Sequence, residues 1–188
     1  MKTLEQNLTQ YAAYHRDRRN VATHFVGVPM IVFAVVLALA TASVSVADVG
    51  FTMAALLAIV SCAYYLKLDL AFGVTLAVVL FAMCAGASEI TARLPTGPVL
   101  GIALAIFVAG WALQYLGHHF EGIKPAFYDD VMQLMIGPLF VCAEAFFLFG
   151  AKPQLRRYIE DRVGPVVPRR APGARAQDFH APDDAATH

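Results

Sequence analysis

Long apolar runs separated by short polar breaks dominate the chain. Five segments stand out: Val26 to Val46, Phe51 to Leu66, Leu70 to Ile90, Val99 to Leu116 and Val131 to Phe149. Roughly 20 apolar residues carry a helix across a hydrocarbon core of about 30 Å, and most of these runs approach that length. Asp48 and Gly50, then Lys67 and Asp69, then Pro95, Gly97 and Pro98 divide the first four; each set carries charge or a backbone that interrupts a helix. Inside lipid only helices and closed barrels satisfy their own backbone groups, and runs this continuous lack the in-and-out alternation of a barrel strand. The pattern therefore predicts an all-α fold, an integral membrane bundle of about five apolar helices. The second run is short, so little tilt or a locally thinned bilayer is expected there.

The flanks behave differently. Residues 1–25 are mostly polar, with Leu4, Leu8, Tyr11 and Ala12 at the spacing of an amphipathic helix lying at the membrane interface. They contain no apolar stretch of signal-peptide type, so the first span itself is expected to direct insertion. Residues 26–150 form the bundle and 151–188 the tail, basic from Lys152 to Arg162 and expected to be disordered beyond Gly164, where Pro, Ala, Arg and Asp prevail. His180 and His188 fall in that tail and are read as solvated.

Composition agrees with the pattern: 59% of the 188 residues are hydrophobic, 15% are charged, and the mean hydropathy is +0.59. Acidic and basic residues number 14 each, so no overall field points to nucleic acid. Cys62, Cys84 and Cys142 all lie in apolar segments and are read as small packing groups. Four crossings between His24 and His118 return the chain to its starting side, and Lys2, Arg16, Arg18, Arg19, Lys67 and Lys124 mark that side as cytoplasmic. Lys152, Arg156, Arg157 and Arg162 violate the same rule if the fifth run crosses completely. They obey it if that run, which contains Gly137-Pro138 and Glu144, does not.

Candidate chemistry gathers at the ends of the runs. Tyr14-His15 and His24 precede the first span, and Gly117-His118-His119-Phe120-Glu121 follows the fourth. Converging imidazoles suit iron, zinc, copper or nickel; a lone rim histidine more often caps or snorkels. His15 and His24, nine residues apart, occupy opposite sides of a straight helix. A shared metal therefore requires a break, expected between Arg16 and Arg19. Gln114, His118 and Glu121 share one helical face while His119 points about 100° away, so His118 is the better ligand unless the helix stops at Gly117. Glu121 is read as an added ligand or as the carboxylate that orients a histidine. Asn20 shares a face with His24. Glu144 inside an apolar run either supports the site or pairs with a rim cation. Arg16, Arg18, Arg19 and Lys124 can hold a substrate carboxylate, set topology or bind lipid phosphate. Asp129 and Asp130 are read as caps of the last helix.

Tyr-His-x4-Asn-x3-His-x2-Gly-Val-Pro at Tyr14 to Pro29, together with Gln-x2-Gly-His and Lys-Pro-Ala between Gln114 and Ala126, resembles the 2-hydroxy fatty acid dioxygenase family. The resemblance runs from about Tyr11 to Gly150 and includes Ile136-Gly137-Pro138-Leu139-Phe140 and Glu144. It implies an Fe(II)-dependent α-oxidation in which a 2-hydroxy fatty acid reacts with O2 and leaves one carbon shorter. By matching positions it assigns His15, His24 and His118 as metal ligands. His119 is a further metal candidate, Asn20 and Glu121 are catalytic candidates, Arg19 and Lys124 substrate-binding ones, and Glu144 an outer support. Expected partners are the substrate, O2 and membrane lipids, in a bacterial inner membrane or the endoplasmic reticulum. The competing classes are another lipid-modifying metalloenzyme, such as a two-iron hydroxylase or desaturase, and a non-enzymatic membrane protein that transports, scaffolds or binds haem or metal.

Overall fold

Capping side chains decide where the helices begin. In the computed structural model, which describes residues 2–46, 49–123 and 132–169, Thr3 and Gln6 satisfy each other's backbone N–H groups at the start of α1 (Leu4–Ala12). Asp17 accepts from Arg19 N at the start of α2 (Arg18–Leu39), Thr52 from Ala55 N at α3 (Met53–Leu68), and Asp69 from Phe72 N at α4 (Leu70–Arg93). Pro95 precedes α5 (Thr96–Glu121), which ends on Gly122 in the left-handed conformation at φ 76°. Two further helices, α6 (Gln133–Leu148) and α7 (Pro153–Val163), meet at a bend of 113°. The bundle is all-α and of membrane type, with α2, α4 and α5 long and apolar enough to span and α3 shorter at 16 residues.

The first apolar run does not stay helical to its end. Thr41 Oγ1 donates to Ala38 O as the helix closes, and the Ser-Val-Ser-Val sequence that follows forms β1 (Ser43–Val46). This strand pairs antiparallel with β2 (Val49–Thr52), Ser43 opposite Thr52. β-Branched residues alternating with serine favour a pleated ribbon over a helix, so the run is a span followed by a hairpin. In contrast, α5 passes straight through Gly117 and carries His118 and His119 in its last turn.

The tightest contact is between α2 and α5. A Cβ added at Gly117 would lie 2.2 Å from Thr23 Oγ1 and 2.4 Å from Asn20 Oδ1; one at Gly27 would lie 3.0 Å from Gly110 O. Glycine is needed at these places because backbone meets backbone at Gly27 and the Thr23 and Asn20 side chains occupy the space at Gly117, the close approach that small residues permit in membrane helices. The histidine-bearing ends of α2 and α5 are thereby drawn together.

The amphipathic stripe of α1 is covered by protein. Leu8 and Ala12 are fully buried, and α1 packs on α6 and α7. Contacts tie α6 to the histidine end at several points: Tyr65 Oη donates to Met135 O, Glu144 meets Arg16, and Lys152, just past α6, pairs with Asp69. Residues after Gly164, expected to be disordered, are held as far as Val167: its N–H donates to Arg16 O at 2.8 Å, and Arg18 N donates to Val167 O at 2.9 Å. The tail through this point thus lies beside the loop that carries His15, the position expected for Lys152, Arg156, Arg157 and Arg162 if the fifth run does not carry the chain across. Asp129, Asp130, His180 and His188 lie outside the described residues.

The glycine contact makes a clear prediction. Gly117→Ala should destabilise the protein by about 1–3 kcal/mol, the usual cost of overpacking. Gly101→Ala, whose new methyl meets nothing within 4 Å, should leave thermal unfolding in detergent unchanged or slightly raised.

Candidate metal centre

His15 sits in the break between α1 and α2, His24 two turns into α2 and His118 in the last turn of α5. The break falls at residues 13–17, slightly before the expected Arg16 to Arg19, and it turns His15 back towards His24. One potential ligand atom from each of the three lies within 4.8 Å of the others, and all three are buried. The rings meet edge to face, with centroids 4.4 to 5.3 Å apart.

Their protons are assigned by their neighbours. His15 Nδ1 lies 2.7 Å from Tyr11 O, and His24 Nδ1 lies 2.9 Å from Asn20 O. A carbonyl only accepts, so both Nδ1 atoms carry hydrogen and both Nε2 atoms present lone pairs. Yet the two Nε2 atoms stand 3.0 Å apart. Two lone pairs do not hold that distance without a positive charge between them. A shared proton would leave a buried imidazolium, which is costly. A metal ion meets the need without that cost, because nitrogens bound at about 2.0–2.1 Å stand about 3 Å apart when their bonds meet near a right angle. His118 Nδ1, buried and without a hydrogen bond, adds a third donor. The residues fit a metal held by three neutral imidazoles.

Surrounding groups fix this arrangement. The Tyr11 ring stacks on His15 at 4.2 Å and 2°, and burial raises its phenol, which stays protonated. Glu121 Oε1 accepts from Arg16 N at 2.9 Å; Oε2 accepts from Asp17 N at 2.8 Å and Asn20 Nδ2 at 3.0 Å. These bonds make Glu121 an anchor of the loop that carries His15, and lend no support to its reading as a ligand or as a histidine-orienting carboxylate. Asn20 joins the same anchor and lends His24 its carbonyl. Arg16, missed as a structural element in the sequence, donates to Ala12 O, His15 O and Gly164 O, and its other guanidinium nitrogen lies 3.6 Å from Glu144. Of the two readings of Glu144, pairing with a rim cation is the one the contacts favour, and that cation adjoins His15.

Other candidates are not brought to the centre. His119 is exposed and turned toward Phe120. Arg19 is bound to Asp17 and covers the Phe120 ring. Lys124 lies outside the described residues.

A cavity of about 620 Å³ opens beneath the histidines. Tyr11, His15, His24 and His118 form its polar end, and it continues between α2, α3, α4, α5 and α6 to Val36, Leu80 and Met83. From His24 to Val36 is about 18 Å along the helix at ~1.5 Å per residue, slightly more than the ~15 Å half-thickness of a hydrocarbon core. Its wall contains no Lys, Arg, Asp or Glu among the described residues. Leu57, Val79, Phe107 and Leu134 line it and are also exposed on the outside of the bundle. The space thus communicates with the apolar surface.

Three buried histidines thus stand above an elongated apolar cavity, and comparison with known sequences says which family carries them. The family described as 2-hydroxy-palmitic acid dioxygenase Mpo1-like matches residues 1–148. The chain belongs to this family. It is 30% identical over 160 residues to the 2-hydroxy-palmitic acid dioxygenase MPO1 of Saccharomyces cerevisiae, covering 84% of this chain and 87% of that protein. No solved structure matches the chain. Membership makes it a dioxygenase-type enzyme of lipid metabolism in a membrane-type fold, against the non-enzymatic alternatives.

The geometry sets expectations for pH and for the loop anchor. Burial, reinforced by His24 and His118, pushes the His15 imidazole well below its ordinary 6.5. The unfolded chain then takes up a proton before the folded one does, so this contribution to the stability of metal-free protein is complete above pH 6.5 and lost as pH falls below it. Thermal unfolding between pH 8 and 5 should show the decline, and His15→Gln should flatten it. Glu121→Ala leaves two backbone donors unpaired and should cost about 1–3 kcal/mol while weakening metal binding measured by competition with a chelator. Unchanged metal affinity would contradict the anchoring role.

Proposed function

We propose that this protein is an Fe(II)-dependent dioxygenase that converts a 2-hydroxy fatty acid into the fatty acid one carbon shorter. The observation that carries this reading is the pairing of a three-histidine site with an uncharged cavity about one leaflet deep. A long acyl chain fills such a space and leaves its polar head among the imidazoles. Bound iron would supply the activation of O2, a capacity no amino-acid side chain has. His15, His24 and His118 would hold it, and three protein ligands leave positions open.

The chain's own residues perform the remaining work. Tyr11 O and Asn20 O hold two imidazoles in the Nδ1-protonated tautomer, so they stay neutral ligands. Tyr11, Phe140 and the apolar wall keep bulk water from the reacting end. The stoichiometry needs no further reductant. With the carboxyl carbon leaving as carbon dioxide and one water formed, oxidation of the substrate releases the four electrons that O2 accepts.

Substrate would enter sideways, past Leu57, Val79, Phe107 and Leu134, where the cavity meets the lipid-facing surface. The basic residues at the histidine end, now including those of α7, favour placing the site on the cytoplasmic face of a bacterial inner membrane or of the endoplasmic reticulum.

The test is anaerobic purification in detergent, metal analysis, then addition of Fe(II), O2 and a long-chain 2-hydroxy fatty acid with products followed by mass spectrometry. The expected result is a one-carbon-shorter acid and matched O2 consumption. His24→Ala and His118→Ala should lose activity about 100-fold or more, since losing only the outer partner of a metal ligand already costs about 10–100-fold. A product formed without bound iron, or with both histidines removed, would refute the reading.

A further inference from the structure

The cavity must hold a polar head, yet the cations that sequence suggested for it are elsewhere. Arg16 and Arg19 are bound to carbonyls and carboxylates outside it. Thr75 Oγ1 and Tyr65 Oη donate to Ala71 O and Met135 O. Ser61 and Gln133 also belong to the wall, but the polar side chain that adjoins the histidines is Gln114. Gln114 is 5% exposed, and its Nε2 is buried with no hydrogen-bond partner. That nitrogen lies against Gly27, where even a methyl group would come within 2.2 Å of it.

Position makes this amide useful. Gln114 precedes His118 by four residues on α5, and Gly27 follows His24 by three on α2, so the amide sits one turn, about 5.4 Å, below both imidazoles. This is the boundary between the metal ligands and the apolar cavity. A side-chain amide both donates and accepts, which matches a hydroxyl group. With no hydrogen bond holding Nε2, rotation about the last side-chain bond can present either atom to a ligand. A buried, unsatisfied amide is costly unless something completes it.

We infer that Gln114 is a specificity-determining residue that hydrogen-bonds the 2-hydroxyl of the acyl substrate and so selects 2-hydroxy acids over unsubstituted ones. The inference rests on the proposed function for the substrate class. It assigns discrimination to a protein side chain in addition to any preference the metal has. A site built to bind a hydroxyl leaves its own group unpaired when the hydroxyl is missing, which is why such sites discriminate strongly.

Trp111, the chain's single tryptophan, lines the same cavity one turn from Gln114 and reports occupancy. Under nitrogen, where no turnover occurs, the full-length iron-loaded protein in detergent is titrated with a 2-hydroxy fatty acid and with the unsubstituted acid of equal length, following Trp111 fluorescence. Wild type should bind the hydroxy acid more tightly. Gln114→Met, similar in size but unable to donate or accept well, should lower that preference about tenfold, as loss of one net hydrogen bond predicts. Gln114→Asn, which keeps polarity but draws the amide back by one carbon, should lower it too and covers the case in which the methionine variant does not fold. A merely structural role would weaken both acids equally and leave the ratio intact; that result, or a wild type without preference, overturns the inference. If the ratio depends on Gln114 but no 2-hydroxy acid is oxidised when O2 is admitted, the binding inference stands and the proposed reaction falls. If the acid is oxidised while the ratio is indifferent to Gln114, the reaction stands and the binding inference falls.

Discussion

The site depends on the close approach of α2 and α5. His24 and His118 are ninety-four positions apart in sequence, and nothing local brings them together. Gly27, Gly110 and Gly117 do so by leaving no side chain of their own between the helices, so that backbone meets backbone at Gly27 and Gly110 and the Thr23 and Asn20 side chains fit against Gly117. Within lipid, helices gain little from apolar burial against one another, so association relies on packing and on close contacts of this kind. Once the two helices are in register, Glu121 at the end of α5 reaches the N–H groups of Arg16 and Asp17 just ahead of α2. The third imidazole is positioned by that reach.

The loop carrying His15 is held from three directions. Glu121 binds its backbone from α5, Val167 pairs with it from the tail, and Arg16 joins α1, Gly164 and Glu144. Irregular backbone beside a membrane is tolerable only when its polar groups are satisfied by protein, and here the satisfaction is also what orients the His15 imidazole.

Much of this was legible in the sequence where a physical rule acts over short distances. Apolar run lengths gave the helices, the nine-residue separation of His15 and His24 required a break, and the i, i+4 relation of Gln114 to His118 placed both on one face. Crossing parity put the two histidine motifs on a common side. Contacts remote in sequence were not legible. Glu121 was read as a ligand or a histidine-orienting group because its spacing to His118 was visible and its reach to Arg16 and Asp17 was not. Arg19 was read as a substrate cation, although its bond to Asp17 is part of the helix cap. Val44 and Val46 looked like more span because hydropathy cannot separate a hairpin strand from a helical turn. The tail looked free because composition says nothing about a backbone bridge to Asp17.

The absence of charge on the cavity wall among the described residues follows from the same physics. An arginine facing the substrate's carboxylate would have to remain desolvated whenever the cavity was empty or filled only by lipid, and an unpaired buried cation is expensive. On the proposed reading, a metal ion held by the three imidazoles would carry the positive charge instead. Below it only a neutral group is tolerable, and an amide costs far less to bury than a guanidinium. The basic residues are accordingly displaced to the outer face of the loop, where Arg16 and Arg19 organise backbone. On the proposed reading, head-group recognition would thereby be divided between charge above the boundary and hydrogen bonding at it, with the acyl chain left to the apolar wall.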